Sequence, residues 1–440
     1  MSTENPTKVP LPSNGVAINR RTTQNPAYRT YEVHQRERVG QSTEKIQPIA
    51  LLRDDQLNNP FANLEILREN YPCYRDWLGN AYWLTRFDDV TSVFADRANF
   101  YVPTRAANCG LHDASDLSTN IAAHKIWAEL IDTALPDIIA TACAALRSQA
   151  APDLTMDYAL CIAMELQRLA LGIPEQQRDW FAQTMWHIQR ADSWQPEVAE
   201  RGQTAITTLL DTLASSAPAE RTHSSLRTAC PDANPADLLA TLLGFDAQTL
   251  FGGVANLCQA LLTNSEHLAT ARNTPQGIKI ATLETLRHAP PTGTVHCYAR
   301  HEVERFGRLL PEGALLRLSA LAANRDPRVF NNPEQFVVDR ADICHREARG
   351  QFRADGLATG LCLGTGLPSK HPAEPEDRPR SLYALNRDAI VRASTALFNE
   401  FPNLRFSHNA EIDAETEADT RPRSLAMFEA HIAWSLPVSL

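Results

Sequence analysis

The sequence lacks an excess of basic residues. Its 440 residues contain 42 Lys and Arg against 52 Asp and Glu, which gives a formal net charge of -10. A chain with this balance repels phosphate backbones and offers no broad basic surface. Binding to nucleic acid is therefore not expected.

The N-terminal segment lacks an apolar run. Residues 1–45 are polar and rich in Asn, Thr and Arg, and nothing in them has the length and apolarity of a signal peptide or a membrane anchor. We expect residues 1–45 to form a flexible tail on a cytoplasmic protein that does not associate with membranes.

The cysteines lack the spacing of a metal site. The nine cysteines include no CxxC pair and no Cys/His cluster of the kind that binds zinc. Most are expected to be buried, reduced thiols that pack as small hydrophobic side chains. With 43% hydrophobic and 21% charged residues, the chain can bury a large core.

The spacing of apolar residues is mostly helical. A helix is predicted from Phe61, and the stretch 122–211 is almost continuously helical in its apolar spacing. The segment Pro235–Thr263 continues this pattern, and a helix of about 28 residues spans roughly 40 Å, so it should cross the core. After Pro290 the pattern changes to short strands, with a last helix over 383–400. The sequence predicts a mainly α protein with small β-sheets.

An acid and a base three residues apart mark the first candidate motif. Glu284 and Arg287 share a helix face at this spacing and can pair. Taken alone, such a pair is more often a solvated ion pair on a surface helix. Downstream, however, follow the stretch Ala322–Pro327, then Arg340, and then Cys362-Leu-Gly.

In this order, on a chain of this length, these motifs resemble the cytochrome P450 family over about residues 55–408. The resemblance implies the cytochrome P450 fold as a single domain over residues 46–440, with a long central helix over a buried haem b. It also implies that Glu284, Arg287 and Arg340 form a buried triad that fixes the loop beneath the haem, because a buried charge persists only when partners satisfy it.

By the same resemblance Cys362 is the metal ligand, holding the haem iron through its thiolate. A thiolate ligand pushes electron density onto the iron and favours O–O cleavage. Gly364 and Gly356 match the glycines of the family's cysteine loop and are predicted to contact the cofactor. The alternative for Cys362 is a buried, inert thiol. Cys344, which lacks the following x-Gly, is the nearest competitor.

The cysteine loop also departs from the family pattern. Asp355 and Gly360 stand where the family has a phenylalanine and a basic residue. The family starts a helix directly after the cysteine, with the positive end of the helix facing the sulfur. Here residues 365–380 intervene before the next convincing helix.

Above the haem, the family places an acid followed by threonine in the central helix, and this pair falls on Gln248 and Thr249. Thr249 fits, whereas the amide of Gln248 cannot supply a proton by ionisation. Asp246 is three residues before Thr249, and we expect it to point into the pocket, as a proton donor or as an anchor for a polar substrate group. The alternative is an acid turned toward water, since Gly252 and Gly253 follow and weaken the helix.

Two further positions are implied as haem contacts. His124 matches the family's propionate-binding histidine, although the arginine expected four residues later is Ala128. Arg300 matches an arginine that contacts a propionate. For both residues an exposed surface role is an equally good interpretation, and Trp127 is expected near the haem edge or in the core.

The resemblance implies a haem-thiolate monooxygenase of secondary metabolism. Such an enzyme inserts one oxygen atom from O2 into a small organic substrate, a terpenoid-like or other secondary metabolite, with electrons from a separate ferredoxin and ferredoxin reductase. The protein is expected to be a monomer. Two alternatives stay open: a peroxide-driven or non-oxygenating haem enzyme that couples or rearranges its substrate, and a catalytically degenerate member that acts as a binding partner.

Overall fold

A computed structural model describes most of the chain in two compact units. The described residues are 60–77, 79–111, 117–191, 196–216, 224–245, 247–343, 380–407, 423–426 and 431–440. The first unit lies within Met1–Pro103, Thr292–Glu334 and Ala426–Ala430, and the second within Thr104–Pro291, Gln335–Leu425 and His431–Leu440. The expected tail over residues 1–45 lies outside the described residues, and the single domain over 46–440 stays a prediction.

Helices make up most of the described structure, as predicted. In chain order they are α1 (Phe61–Asn70), α2 (Phe87–Ala95), α3 (Arg105–Asn108), α4 (Leu117–Glu129), α5 (Leu135–Ser148), α6 (Leu160–Leu171), α7 (Arg178–Ile188), α8 (Pro196–Ser215), α9 (Leu226–Ala229), α10 (Pro235–Leu243), α11 (Ala247–Thr263), α12 (Ser265–Asn273), α13 (Gly277–His288), α14 (Ala320–Ala323) and α15 (Leu382–Glu400). Two π-helical turns, Leu130–Ala134 and Leu154–Ala159, lead into α5 and α6.

The strands are short. In chain order they are β1 (Tyr74–Asp76), β2 (Ala81–Leu84), β3 (Phe100–Tyr101), β4 (Thr294–Ala299), β5 (Val303–Arg305), β6 (Arg308–Leu310), β7 (Leu315–Ser319), β8 (Arg405–Phe406), β9 (Arg423–Ala426), β10 (His431–Ser435) and β11 (Val438–Ser439). The predicted starts of α1, α2 and α15 are confirmed to within one residue.

The first unit is organised by a five-stranded sheet with the order β1-β2-β7-β4-β3. The β2–β7 pair is parallel, with Tyr82 opposite Leu316, and the other pairs of this sheet are antiparallel. Leu67 and Trp83 are almost fully buried where α1 packs on the sheet. Strands β5 and β6 form a separate hairpin.

The central helix differs from the single helix predicted over Pro235–Thr263. Helix α10 ends at Leu243 and α11 begins at Ala247. The amide of Phe245 donates to the Leu242 carbonyl at 3.1 Å, a tightened i→i+3 bond of the kind that ends helices. The Phe245 carbonyl accepts instead from Gln167 Nε2 at 3.4 Å, so its backbone is drawn out of the helical ladder.

The paired glycines of α11 mark close packing. A Cβ atom on Gly252 would lie 2.9 Å from Pro291 Cβ, and one on Gly253 would lie 2.5 Å from Ile390 Cδ1. Both distances are shorter than packed carbon atoms tolerate. Helix α11 is continuous through both glycines, which let Pro291 and α15 approach its axis, and the interruption of the central helix lies before Ala247.

One stretch, Pro235–Thr263, is long and apolar enough to cross a membrane by length and composition, within the part of the chain that the structure describes. In the structure 88% of its most apolar window is buried inside the protein. This burial is typical of a core helix, which passes the same test of length and composition.

Candidate active site at the ion triad and the central helix

Glu284 is the centre of a buried ion triad. Its Oε2 atom accepts hydrogen bonds from Arg287 Nε at 2.7 Å and from Arg340 Nε at 2.9 Å. Its Oε1 atom accepts from Arg287 Nη2 at 2.7 Å and from the Val337 amide at 2.9 Å. The side chains of Glu284, Arg287 and Arg340 are 0%, 0% and 3% exposed. The structure thus brings the three predicted residues together away from solvent.

The triad is balanced in charge and bonded to the backbone. Arg340 Nη1 also donates to Asp342 Oδ1 at 3.1 Å, so two carboxylates face two guanidinium groups. Both arginines donate to the Gln335 carbonyl, at 3.1 Å from Arg287 and 2.8 Å from Arg340. Buried charges with partners on every side can be retained, and here they fix the turn that follows residue 335.

The two predicted distal residues that are described lie on the first turn of α11. Thr249 is fully buried. Gln248 is half-buried, and its Nε2 donates to the Pro291 carbonyl at 2.9 Å. The Gln248 amide therefore ties the helix to the segment before β4. Asp246, the proposed pocket acid, lies outside the described residues.

Asn256 forms a second set of polar contacts between α11 and neighbouring segments. It lies two turns further along α11, and its Nδ2 donates to the carbonyls of Ala289 at 2.8 Å and His431 at 2.6 Å. Its Oδ1 accepts from the Ala433 amide at 2.8 Å. All of its bonds are satisfied, so this buried amide holds strand β10 against the central helix. We did not predict this role from the sequence, although an asparagine inside an apolar helical run is a usable signal.

Trp127 offers a test of whether haem fits the described residues, because haem carries carboxylate groups that need donors. His124 is half-buried on α4, and Trp127 follows one turn later, fully buried and stacked on Phe245 with ring centroids 4.1 Å apart. Within the described chain the Trp127 Nε1–H has no acceptor. A buried donor without an acceptor is costly, and a carboxylate would satisfy it. This part of α4 therefore fits a carboxylate-bearing cofactor.

Arg300 lies in the first unit and is engaged locally. Its Nε donates to the carbonyls of Arg97 at 3.0 Å and Phe100 at 3.3 Å, and its guanidinium lies over the Tyr101 ring at 5.1 Å. The Nε edge is thus used to close the end of strand β3. A contact of Arg300 with a propionate stays a prediction.

Cys362, Gly356 and Gly364 lie outside the described residues, so their predicted roles stay predictions. What the structure describes is the start of α15, where Ser381 caps the helix by accepting from the Ala384 amide at 3.1 Å. Arg380, the residue before the cap, donates to Asp132 Oδ2 at 2.7 Å and to Asp388 Oδ2 at 3.2 Å. Helix α15 begins at Leu382, after the intervening residues 365–380 as expected, and Ser381 and Arg380 occupy its positive end.

Burial keeps several other cysteines in the thiol form. Removal from water raises the pKa of the Cys73, Cys258 and Cys297 thiols to about 12. Burial also raises the pKa values of Cys143 and Cys161. At neutral pH none of these five supplies a thiolate. The structure holds no group of three or more His, Cys, Asp and Glu side chains suited to a metal ion within its described residues.

Comparison with known proteins agrees with this architecture. No family model matches the chain. The chain is 30% identical over 174 residues to 6-deoxyerythronolide B hydroxylase of Saccharopolyspora erythraea, a match that covers 40% of this chain and 36% of the relative. It is 33% identical over 174 residues to Protein DesVIII of Streptomyces venezuelae, covering 40% of this chain and 37% of the relative. The chain thus spans little more than a third of the length of these two curated relatives.

The fold itself is shared over nearly the whole chain. The cytochrome P450 PksS of the Bacillus subtilis bacillaene polyketide synthase superposes with a TM-score of 0.63 at 18% identity, covering 90% of this chain and all of that one. A further curated relative, 28% identical over 225 residues, carries the name cytochrome P450 107B1. The chain therefore has the cytochrome P450 fold, and parts of its sequence are similar to bacterial cytochrome P450 proteins.

Proposed function

We propose that this protein is a haem-thiolate monooxygenase that inserts one oxygen atom from O2 into a small secondary metabolite. The observation that carries the proposal is the buried triad of Glu284, Arg287 and Arg340, which is charge-balanced and bonded to the backbone of the segment leading toward Cys362. The names of two matched relatives, a hydroxylase and a cytochrome P450, support the same reaction class.

Each candidate site residue has a distinct role in this proposal. Cys362 would hold the iron through its thiolate, and the haem, when bound, would supply oxygen activation. His124 and Trp127 on α4 bind carboxylates of the cofactor, with Arg300 as a further candidate donor. Thr249 presents a hydroxyl from the buried face of α11, and Gly356 and Gly364 shape the cysteine loop. Asp246 is the candidate proton donor, because the Gln248 amide is committed to the Pro291 carbonyl.

Electrons are expected from a ferredoxin and a ferredoxin reductase, and we place the protein in the cytoplasm as a monomer. A test that needs neither partner is the visible spectrum of the reduced, carbon monoxide-bound protein, which reports the axial ligand. We expect the red-shifted Soret band of a thiolate complex in the parent protein. Cys362→Ser should abolish it, whereas the matched variant Cys344→Ser should keep it. Retention of the band in Cys362→Ser would overturn the assignment.

A second candidate is a catalytically degenerate member that acts as a binding partner. It is favoured by the start of α15, where Ser381 and the ion-paired Arg380 occupy the helix end that the family uses for its thiolate. One matched relative, Protein DesVIII, is also named without a reaction. Purified protein without a Soret band would favour this candidate. Turnover with peroxide and no response to ferredoxin would instead indicate a peroxide-driven haem enzyme.

A further inference from the structure

Three aromatic rings from separate elements of the second unit meet beside the central helix. Trp434 of β10 contacts Trp186 of α7, with ring centroids 6.2 Å apart at 87°, and Phe251 of α11, at 6.3 Å and 51°. Phe251 is buried, whereas Trp186 and Trp434 are each partly exposed. We call these three residues the aromatic wall. It leaves indole surface accessible to a ligand, which a core cluster would not.

The position of the wall is fixed by the buried amide of Asn256. The bonds from Asn256 to the His431 carbonyl and the Ala433 amide hold β10 on α11 immediately before Trp434. Trp434 is therefore held against Phe251 by hydrogen bonds as well as by ring contact. A preorganised ring loses little freedom when a ligand binds to it.

A cation covers one end of the wall. The guanidinium carbon of Arg190 lies 4.1 Å from the centroid of the Trp186 ring. A guanidinium stacked by its face keeps its N–H edges available for a carboxylate. Arg201 Nε donates to the Glu197 carbonyl at 3.2 Å, and within the described residues neither Arg190 nor Arg201 forms an ion pair with a carboxylate. Partial burial, followed by the charge of Arg201, lowers the pKa of Arg190 from its usual value.

The second arginine is brought close by helix packing. Gly202 of α8 lies so near Ala191 that a Cβ atom on the glycine would be 2.4 Å from Ala191 Cα. This approach carries Arg201 toward Arg190 across the end of α7. Two like charges without a described acid between them favour an anion at this end of the wall.

We propose that the aromatic wall and Arg190 form a subsite for a planar aromatic molecule that carries a carboxylate. The ring packs against Trp434 and Trp186, and the carboxylate is held by the edge of the Arg190 guanidinium with Arg201 nearby. This names the substrate class of the proposed monooxygenase and in that sense rests on the proposed function. The binding itself needs neither haem chemistry nor electron transfer.

The test is calorimetric titration of the full-length protein with 2-naphthoate, and with its uncharged analogue 2-naphthamide. We expect naphthoate to bind more tightly than naphthamide. Arg190→Gln should weaken naphthoate about tenfold, equivalent to about 1.4 kcal/mol, and leave naphthamide unchanged. Trp434→Leu should weaken both ligands. The matched control is Trp77→Leu, because Trp77 is also an exposed indole with an arginine, Arg75, stacked on it at 4.7 Å.

Several results would overturn the subsite: no heat of binding with naphthoate, equal affinity for the two ligands, or an unchanged naphthoate affinity in Arg190→Gln. A loss of naphthoate affinity in Trp77→Leu equal to the loss in Trp434→Leu would also overturn the subsite. These outcomes are separate from the spectral test of Cys362. If the protein binds naphthoate but shows no Soret band, the subsite is supported and the monooxygenase assignment is refuted. If it shows the Soret band of a thiolate complex but does not bind naphthoate, only the subsite is refuted.

Discussion

Neutralising the centre of the triad should be far more damaging than neutralising an exposed glutamate. In Glu284→Gln the side chain keeps its volume, but the negative charge that faces Arg287 and Arg340 disappears, and the new amide hydrogens point at guanidinium donors. The parent carboxylate accepts four hydrogen bonds of 2.7 to 2.9 Å. Removing one partner from a buried ion pair costs about 3–5 kcal/mol, because the remaining charges cannot be solvated.

Glu400→Gln is the matched control for this change. Glu400 pairs with Arg147, and their side chains are 46% and 56% exposed, so the same substitution there should cost about 0–1 kcal/mol. The free energy of unfolding is measured by urea titration followed by far-ultraviolet circular dichroism. If the decrease in the free energy of unfolding caused by Glu284→Gln were within about 1 kcal/mol of that caused by Glu400→Gln, the triad would not be a buried, mutually dependent cluster. Our argument for the triad would then be refuted.

Three other predictions follow from single sites. Burial opposes ionisation of Glu165, but its hydrogen bonds and ion pairs with Arg168 and Arg178 together outweigh burial and hold the pKa of this carboxyl below 4.5. Its stabilising contribution should therefore be complete above pH 4.5 and be lost as pH falls through the lower folded value, so unfolding curves of Glu165→Gln should converge with the parent in acid. Cys258, whose thiol pKa is raised to about 12 by burial, should resist iodoacetamide in native protein and be alkylated once the protein is unfolded in urea, as peptide mass mapping would reveal. Gly253→Ala should cost about 1–3 kcal/mol in urea titration, because its new methyl group meets α15, and an unchanged midpoint would contradict that packing.

The sequence predicted those features that depend on local spacing. Glu284 and Arg287 are three residues apart on one helix, so their pairing follows from helical geometry, and the starts of α1, α2 and α15 follow from turn residues and apolar periodicity. The third member of the triad, Arg340, could be predicted only from the family resemblance, because it is 56 positions from Glu284 in the sequence. Local patterns cannot identify such a partner.

The features that the sequence did not predict are set by distant contacts. The apolar pattern runs unbroken through Gly244 and Phe245, yet α10 ends there because Trp127 and Gln167 engage the ring and carbonyl of Phe245. The glycines of α11 suggested weakness by propensity alone, and only the positions of Pro291 and Ile390 show why small residues are needed. Tertiary packing overrides propensity at each of these positions.

The amide of Asn256 has a consequence for how the protein is made. Its partner Ala433 lies 177 positions later in the chain. At a synthesis rate of about 5–20 residues per second, α11 leaves the ribosome roughly ten seconds or more before strand β10 exists. During that interval the Asn256 amide lacks its partner strand and is not shielded from water. The surface of the central helix around Asn256 is therefore completed only after the residues around Ala433 have been translated.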